Sequence, residues 1–271
     1  VEVLGESLAM PVILGPVGVG GMFAQRAEVH AARAAEAAGA AFVESTVSIC
    51  GLEEVAAATR RPPWFQLYVM ADRAFSEGLI ATAASVGSPV LVLTVDLAVV
   101  GSRHRDTRNA MVGEASPLAK LRRGIDLGSH PRWIRDVAIG GKPLTFGNLE
   151  KAVPGARTPA AFRRWVDVQF DPSVTWDDIA WVRERWKGPI ILKGVLDVED
   201  AAQAAAVGVE GIVVSNHGGR QLDGVASSIA ALPRIADAVG DRMTVLMDGG
   251  VRSGLDVLKA LASGAQACLV G

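Results

Sequence analysis

The stretch VVSNHGGRQLDG, residues 213–224, places a histidine and an arginine three positions apart directly after an apolar run. Only Gly218 and Gly219 separate His217 from Arg220, so the two charged side chains share one turn. Imidazole can act as a general base near neutral pH, and the planar guanidinium of arginine binds a carboxylate through two hydrogen bonds. A base beside a carboxylate-binding group predicts proton removal from a small organic acid.

Two further charged residues follow apolar runs elsewhere in the chain. Lys193 comes directly after PIIL, where an unpaired ammonium would be costly, so we expect it to face an anion or an electron-rich ligand. Asp96 ends the run VLVLTVD. A carboxylate that is hydrogen-bonded to an imidazole fixes its tautomer and stabilises the imidazolium, so Asp96 would make His217 a general base. A lone histidine is more often structural, and a lysine can extend out of a barrel end, but the combination favours catalysis.

Eight short apolar runs recur along the chain, and they predict buried parallel strands because they do not alternate with polar residues. The runs are PVILGPV, AAFVES, WFQLYVM, VLVLTVD, PIILKGV, GIVVSNH, TVLMDGG and ACLVG. Alanine-rich amphipathic stretches such as residues 27–40 lie between them and predict helices. Eight strand–helix units predict an α/β fold, a (β/α)8 TIM barrel, with a doubly wound open sheet as the alternative.

The carboxyl ends of barrel strands share one mouth, which is where barrel enzymes carry their active sites. The ends of the predicted strands give a polar set: Gly18, Ser45, Gln66, Tyr68, Thr94, Asp96, Lys193, Ser215, His217, Arg220, Asp248 and Arg252. A serine or threonine at such a position is often only a helix cap. The glycine turns in DGGVRSG and LVG, after the last two predicted strands, offer backbone amides to a phosphate group.

One interval between predicted strands is far longer than the others. More than ninety residues separate VLVLTVD from PIILKGV, and the excess, about residues 111–172, is an insert rich in Gly, Pro and Trp after strand 4 of the barrel. It carries ten Lys and Arg against six Asp and Glu, so its net charge is +4 and that of the remaining chain is −6. We expect the insert over the active-site face, either as a solvated lid or against an anionic membrane surface.

Composition narrows the class of protein. The 271 residues, half of them hydrophobic and with a net charge of −2, suit one barrel domain over residues 1–271. Cys50 and Cys268 cannot form a disulfide framework, which indicates a reducing compartment. The sequence has no run of 18 apolar residues, no Cys/His cluster with metal-ligand spacing and no basic, aromatic-interleaved face for nucleic acid. It begins at Val1 and stops within a predicted strand and turn, so we expect a chain truncated at both ends.

Taken together, SNHGGRQLDG, WFQLYV, LTVD, LKG and DGGVRSG resemble the FMN-dependent 2-hydroxy acid dehydrogenases and oxidases, over all but the middle of the insert. STVSIC with RPPWFQLYV is most similar to the respiratory L-lactate dehydrogenase branch, followed by mandelate dehydrogenases. The resemblance implies FMN as the cofactor and oxidation of an L-2-hydroxy acid to the 2-oxo acid, with electrons passed to a quinone or cytochrome. L-Mandelate as the substrate, or oxygen as the acceptor with formation of hydrogen peroxide, are the alternatives. We expect a cytoplasmic homo-oligomer that lies peripherally on the inner face of the cell membrane.

The resemblance also implies roles for residues already singled out. His217, oriented by Asp96, would take a proton from the substrate. Arg220 would hold the substrate carboxylate, Arg103 would be a second arginine at the pocket, and Tyr68 would hydrogen-bond the substrate oxygen. Lys193 would lie against the flavin and stabilise its anionic reduced form. The remaining cofactor contacts would come from Pro16, Val17, Gly18, Ser45, Gln66, Thr94, Ser215, Asp248, Gly249, Gly250, Arg252 and Gly271.

Three features depart from the family pattern. Tyr68 is the only tyrosine, so the family's tyrosine before the first barrel strand has no counterpart, and its arginine after the final VG is also missing. Glu44 stands where relatives generally carry an apolar residue. Two other classes remain as alternatives: a barrel that binds a flavin or phosphate ligand without catalysis, and a phosphate-binding isomerase or aldolase. The intact set of His217, Asp96, Arg220 and Lys193 argues against both.

Overall fold

In the computed structural model, eight parallel strands close into a barrel surrounded by helices, so the predicted (β/α)8 TIM barrel is confirmed. The structure describes residues 1–99, 101, 104–109, 116–141, 144–150, 165 and 168–271. The strands are β1 (Glu2–Val3), β2 (Glu6–Ser7), β3 (Val12–Leu14), β4 (Ala41–Ser45), β5 (Trp64–Leu67), β6 (Leu91–Thr94), β7 (Ile190–Val195), β8 (Gly211–Val214), β9 (Thr244–Met247) and β10 (Ala267–Val270). The barrel runs from β3 to β10 in chain order and closes where β10 pairs with β3.

Helices follow most of the barrel strands. They are α1 (Ala27–Ala37), α2 (Leu52–Ala57), α3 (Arg73–Ser85), α4 (His104–Arg108), α5 (Pro117–Gly128), α6 (Pro131–Trp133), α7 (Trp176–Arg185), α8 (Val198–Ala206), α9 (Ser228–Val239) and α10 (Gly254–Ala262). A π-helical segment, Ile134–Ile139, continues α6, and short 3₁₀ turns form at Gly20–Met22, Gly147–Leu149 and His217–Gly219. Polar side chains begin several helices: the Asp72 carboxylate, for example, accepts a hydrogen bond from the Phe75 amide at the start of α3.

Two apolar layers explain why the strand sequences do not alternate. Ile13, Val43, Val92 and Val213 point into the barrel interior, and the β1–β2 hairpin adds Val3 to this cluster. Residues on the other side of the same strands pack against the surrounding helices. Both faces of each strand are therefore buried, as in other parallel sheets. The polar side chains are left to the carboxyl ends of the strands.

The insert predicted after the fourth barrel strand follows β6, and its described part includes α5, α6 and the Gly147–Leu149 turn. Every residue of α5 lies outside the core. Within the described part of the chain, no helix has the length and apolar character needed to cross a membrane.

Candidate active site

The ends of β4, β5 and β6 carry a connected row of polar side chains. The Ser45 hydroxyl donates to Gln66 Oε1 over 3.2 Å, and Gln66 Nε2 donates to Thr94 Oγ1 over 3.0 Å. All three side chains are buried, and strand pairing fixes their spacing because Ser45 lies opposite Gln66 in the ladder. Thr46 supports the row, since its hydroxyl donates to the Gln66 carbonyl over 2.6 Å. The row offers donors and acceptors to the polar edge of a planar ligand.

The next three strands, β7, β8 and β9, bring a cation, a hydroxyl and a carboxylate together. Lys193 Nζ lies 2.9 Å from Asp248 Oδ2 and donates to Ser215 Oγ over 3.1 Å. The lysine side chain is only 6% exposed, so its charge is largely removed from water and is balanced by the carboxylate. The second carboxylate oxygen, Asp248 Oδ1, is buried without a hydrogen-bond partner among the described residues. This oxygen is a buried acceptor whose hydrogen bond is unmade among the described residues.

His217 and Asp96 meet across the mouth. His217 Nδ1 lies 3.0 and 3.1 Å from the two oxygens of Asp96. Facing a carboxylate, Nδ1 carries the ring proton, which leaves the Nε2 lone pair free to accept another. Gly194 makes the approach possible, because a Cβ at this position would lie 2.5 Å from the Asp96 side chain. His217 itself has a left-handed backbone, with φ of +55°, a strained conformation that is common at functional sites.

Two further predicted site residues lie near this pair along the chain. The exposed Arg220 directly follows the His217–Gly219 turn. The side-chain amide of Gln221 donates through Nε2 to the Val99 carbonyl over 3.1 Å, and this bond connects the turn to the loop after β6. Tyr68 follows β5 and is half-buried. Its ring packs edge-on against Phe170, with the ring centroids 5.2 Å apart. Both residues therefore follow barrel strands, β8 and β5, at the carboxyl ends that form the mouth.

The other described residues of the predicted site lie in the loops that follow β3, β9 and β10. Arg103 falls outside the described residues. After β9 and β10 come Gly249, Gly250 and the exposed Gly271, and after β3 come Pro16, Val17 and Gly18. The exposed Arg252 donates through Nη1 to the Val251 carbonyl. Its backbone amide donates to the Asp256 carboxylate over 3.1 Å. This second hydrogen bond is the largest cause of the lowered pKa of Asp256.

A buried carboxyl group lies immediately behind the polar row. Glu44 precedes Ser45 on β4, points away from the barrel interior and is 0% exposed. Burial raises the pKa of Glu44 well above its usual range, and the nearby carboxylates of Glu28 and Glu54 add to the shift. The same three acids add to the burial that raises the pKa of the Cys50 thiol to about 12. This environment of Glu44 therefore favours its neutral, protonated form.

Several residues that organise the site were not anticipated from the sequence. Glu28, Thr46, Asn148 and Gly194 each bond or pack against loops or strands that carry predicted site residues. In the sequence, Glu28 was visible only as an acid in the first turn of a predicted amphipathic helix, where acids are common. Asn148 lies in the weakly patterned insert, where nothing distinguishes it from a surface residue.

Comparisons with known proteins bear on the fold and the class of chemistry. The family model described as FMN-dependent dehydrogenase matches residues 1–271. An L-lactate dehydrogenase from Caulobacter vibrioides is 53% identical over 267 residues, which cover 98% of this chain and 69% of that protein. The solved structure of a monotopic membrane protein, (S)-mandelate dehydrogenase, is 36% identical with a TM-score of 0.91 and covers 100% of this chain and 70% of its own.

A further solved structure bears on the cofactor. A mandelate oxidase mutant with a C4a-OH-FMN adduct is 38% identical with a TM-score of 0.79, over 100% of this chain and 68% of its own. The fold, the family match and these relatives agree on one chemistry. The chain belongs to the FMN-dependent dehydrogenase family, as an FMN-dependent oxidoreductase that acts on the CH–OH group of 2-hydroxy acids.

Proposed function

We propose that the protein oxidises L-lactate to the corresponding 2-oxo acid, with His217 as the general base. The observation that carries the proposal is the pairing of His217 Nδ1 with Asp96, which leaves Nε2 free to accept a substrate proton at the barrel mouth. The identity of 53% to an L-lactate dehydrogenase favours lactate over mandelate. L-Mandelate is the second candidate, supported by the likeness to the mandelate dehydrogenase structure.

The proton transfer depends on Asp96 as well as His217. As Nε2 takes the proton, the ring becomes an imidazolium, and the carboxylate at 3.0 Å stabilises its positive charge. Arg220 binds the substrate carboxylate through its guanidinium fork, and Tyr68 hydrogen-bonds the substrate oxygen. Arg103, outside the described residues, is proposed as a second arginine at the pocket. These contacts hold the reacting carbon in one orientation, which raises the rate of a reaction at that carbon.

The residues around the mouth fit FMN. The buried and unpartnered Asp248 Oδ1 suits a hydroxyl donor of the ribityl chain, and the row of Ser45, Gln66 and Thr94 suits the polar edge of the ring. Lys193 supplies a positive charge beside the cofactor. We propose the remaining contacts from Pro16, Val17, Gly18, Ser215, Gly249, Gly250, Arg252 and Gly271. When bound, FMN would take up the two electrons and the second hydrogen of the CH–OH group, while His217 takes the first as a proton.

For the second half of the reaction we propose a quinone or cytochrome as the electron acceptor, reached at the inner face of the cell membrane. The support is α5, where Leu118, Leu121 and Ile125 lie on one face and are 60–67% exposed. The helix also carries Lys120, Arg122 and Arg123, which suit anionic lipid headgroups. An apolar ridge with flanking cations favours a membrane surface over a solvated lid. Transfer of the electrons to oxygen is the alternative. As a separate proposal, the protein assembles as a homo-oligomer.

Anaerobic mixing tests the substrate. We would add L-lactate and, separately, L-mandelate to the protein with bound FMN and follow the flavin absorbance near 450 nm. Rapid bleaching by L-lactate and slow bleaching by L-mandelate is the expected result, and the reverse order would assign mandelate. A flavin that neither acid reduces would contradict the proposal. Admitting oxygen or a soluble quinone to the bleached protein then identifies the acceptor, since only the productive one restores the absorbance rapidly.

Vesicle binding tests the membrane contact. The double variant L121S/I125S should bind vesicles of anionic phospholipid at least about tenfold more weakly than the wild type, because each lost leucine or isoleucine removes apolar area from the lipid. L255S/L258S is the matched control, since these leucines on α10 are 61% and 63% exposed but lie on a barrel helix. Equal binding by both variants would argue against α5 as the contact.

A further inference from the structure

Two segments of the insert bind the loops that flank the proposed flavin site. Trp133 Nε1 donates to the Met22 carbonyl over 2.8 Å, in the loop after β3. The Gly147–Leu149 turn lies against residues 46–51, the loop after β4. Glu28 links the two loops, because its Oε1 accepts hydrogen bonds from the Gly21 amide at 2.9 Å and the Ile49 amide at 3.0 Å. The insert therefore contacts both the loop after β3 and the loop after β4.

The side chain of Asn148 holds both ends of the β4–α2 loop. Its Nδ2 donates to the Ser45 carbonyl over 3.0 Å and to Ser48 Oγ over 3.1 Å. Its Oδ1 accepts from the Leu52 amide over 2.7 Å. Leu52 is the first residue of α2, and the N-cap residue, Gly51, has no side chain that could satisfy this amide. Asn148 thus supplies the missing cap from a distant part of the chain.

The surrounding packing is close. The Gly147 amide donates to the Ser48 carbonyl over 3.0 Å, and a Cβ at Gly147 would lie only 2.5 Å from the Gly51 nitrogen. Leu149 is 0% exposed and packs in one cluster with Val47 and aromatic side chains of the insert. Val47 in turn lies so near Gly18 that a Cβ there would be 2.8 Å from its methyl group. A shift of the insert turn would therefore move the loop that carries Val47.

We propose that Asn148 is a positioning residue for the flavin site. Its amide fixes the carbonyl of Ser45, whose hydroxyl begins the polar row, and it fixes the start of α2 at the other end of the loop. The affinity for FMN then depends on an insert residue that is proposed to make no contact with the cofactor. This inference rests on the proposed assignment of Ser45 and Gly18 to the cofactor site.

The test compares two substitutions at this position in the whole protein. N148A removes the cap and the loop contacts together. N148D keeps an acceptor for the Leu52 amide but exchanges the hydrogen bond to the Ser45 carbonyl for a repulsion between two oxygens. S129A, an exposed insert residue at the end of α5, is the control. The apoprotein of each variant is titrated with FMN, and the melting temperature and the visible circular dichroism of the bound flavin are recorded.

We expect N148D to weaken FMN binding about tenfold and to change the flavin dichroism while it still keeps the cap on α2. N148A should show the same loss of affinity together with a lower melting temperature, and S129A should match the wild type. Wild-type FMN affinity and dichroism in N148D would overturn the inference, whatever the stability of N148A. A wild-type protein that bound no FMN would contradict the proposed function itself, and the positioning role with it.

Discussion

The barrel and the insert differ in how they use polar and apolar side chains. Every residue of β5, β6 and β8 is buried, and polar groups at or just after the carboxyl ends of these strands bond to one another at about 3 Å. In α5, by contrast, no residue is buried, and leucines lie exposed beside lysine and arginine. The difference indicates a division of labour. The strand ends hold polar groups in fixed contacts, whereas α5 presents apolar and cationic side chains to its surroundings.

The two regions are joined at a few residues. Trp133, Asn148 and Phe170 connect the insert to the loops after β3, β4 and β5. Substitutions in the barrel mouth should therefore change flavin reduction, whereas substitutions on the exposed face of α5 should leave it unchanged. Each of the following predictions tests one side of this division.

The largest effect is expected for Asp96→Asn. The amide no longer stabilises the imidazolium and permits the wrong tautomer of His217, so the rate of flavin reduction by L-lactate should fall about 10²- to 10⁴-fold. Anaerobic stopped-flow absorbance measures this rate, and the FMN content should stay at the wild-type level. L121S/I125S is the counterpart in the insert and should reduce at the wild-type rate. A loss of similar size in both variants would break the distinction between the regions.

A smaller effect is expected at Arg220. Arg220→Met should raise the KM for L-lactate about tenfold to a hundredfold, because it removes hydrogen bonds to a charged carboxylate. Arg220→Lys keeps the charge but lacks the two-pronged geometry, so it should recover only part of the loss. Steady-state kinetics with an artificial electron acceptor give KM and kcat for each variant. Full recovery in the lysine variant would show that charge alone, and not the fork, binds the substrate.

Glu44 gives a prediction about stability rather than rate. Its pKa is raised by burial in the folded state, so above the usual carboxyl pKa of 4.5 the unfolded chain loses a proton that the folded chain keeps. The free energy of unfolding should therefore fall as the pH rises above about 4.5. Glu44→Leu removes this dependence and should be more stable by about 1–3 kcal/mol at neutral pH.

Urea unfolding of the wild type and Glu44→Leu between about pH 5 and pH 8 measures the difference. The gain in stability should grow with pH and become small near pH 4.5, where the acid is protonated in both states. Glu44→Gln is the control for size, since it removes the titration but keeps a polar group. A gain that is constant with pH would show that Glu44 is ionised in the folded protein.

The smallest expected signal concerns the two cysteines. Burial raises the pKa of Cys50 to about 12 and that of Cys268 to about 11, and both are fully buried. Since the thiolate is the reactive form, neither should react with iodoacetamide at about pH 8 in the folded protein, although both should react once it is unfolded. Mass spectrometry of the alkylated protein counts the labels. Rapid labelling of either thiol would show that this part of the barrel opens readily.

The barrel could be predicted from the sequence, and candidate residues could be assigned to its mouth, because buried strands and their polar ends leave local signals. Runs such as VLVLTVD and PIILKGV mark buried strands, and a charged residue directly after them marks the carboxyl end. The meeting of His217 and Asp96 follows from the barrel topology. Asn148 and Gly194 could not be found in this way, since their importance depends on contacts with segments far away in the chain. The charge of the insert was readable, but the exposed helix α5 was not.

The most direct test of the central claim is the single-turnover reduction of bound FMN by L-lactate in His217→Gln. The glutamine keeps a polar side chain near Asp96 but cannot take the proton, so the flavin should remain bound and bleach at least about a hundredfold more slowly than in the wild type. Bleaching at the wild-type rate, with the flavin fully bound, would contradict the assignment of His217 as the base and with it the mechanism proposed for the barrel.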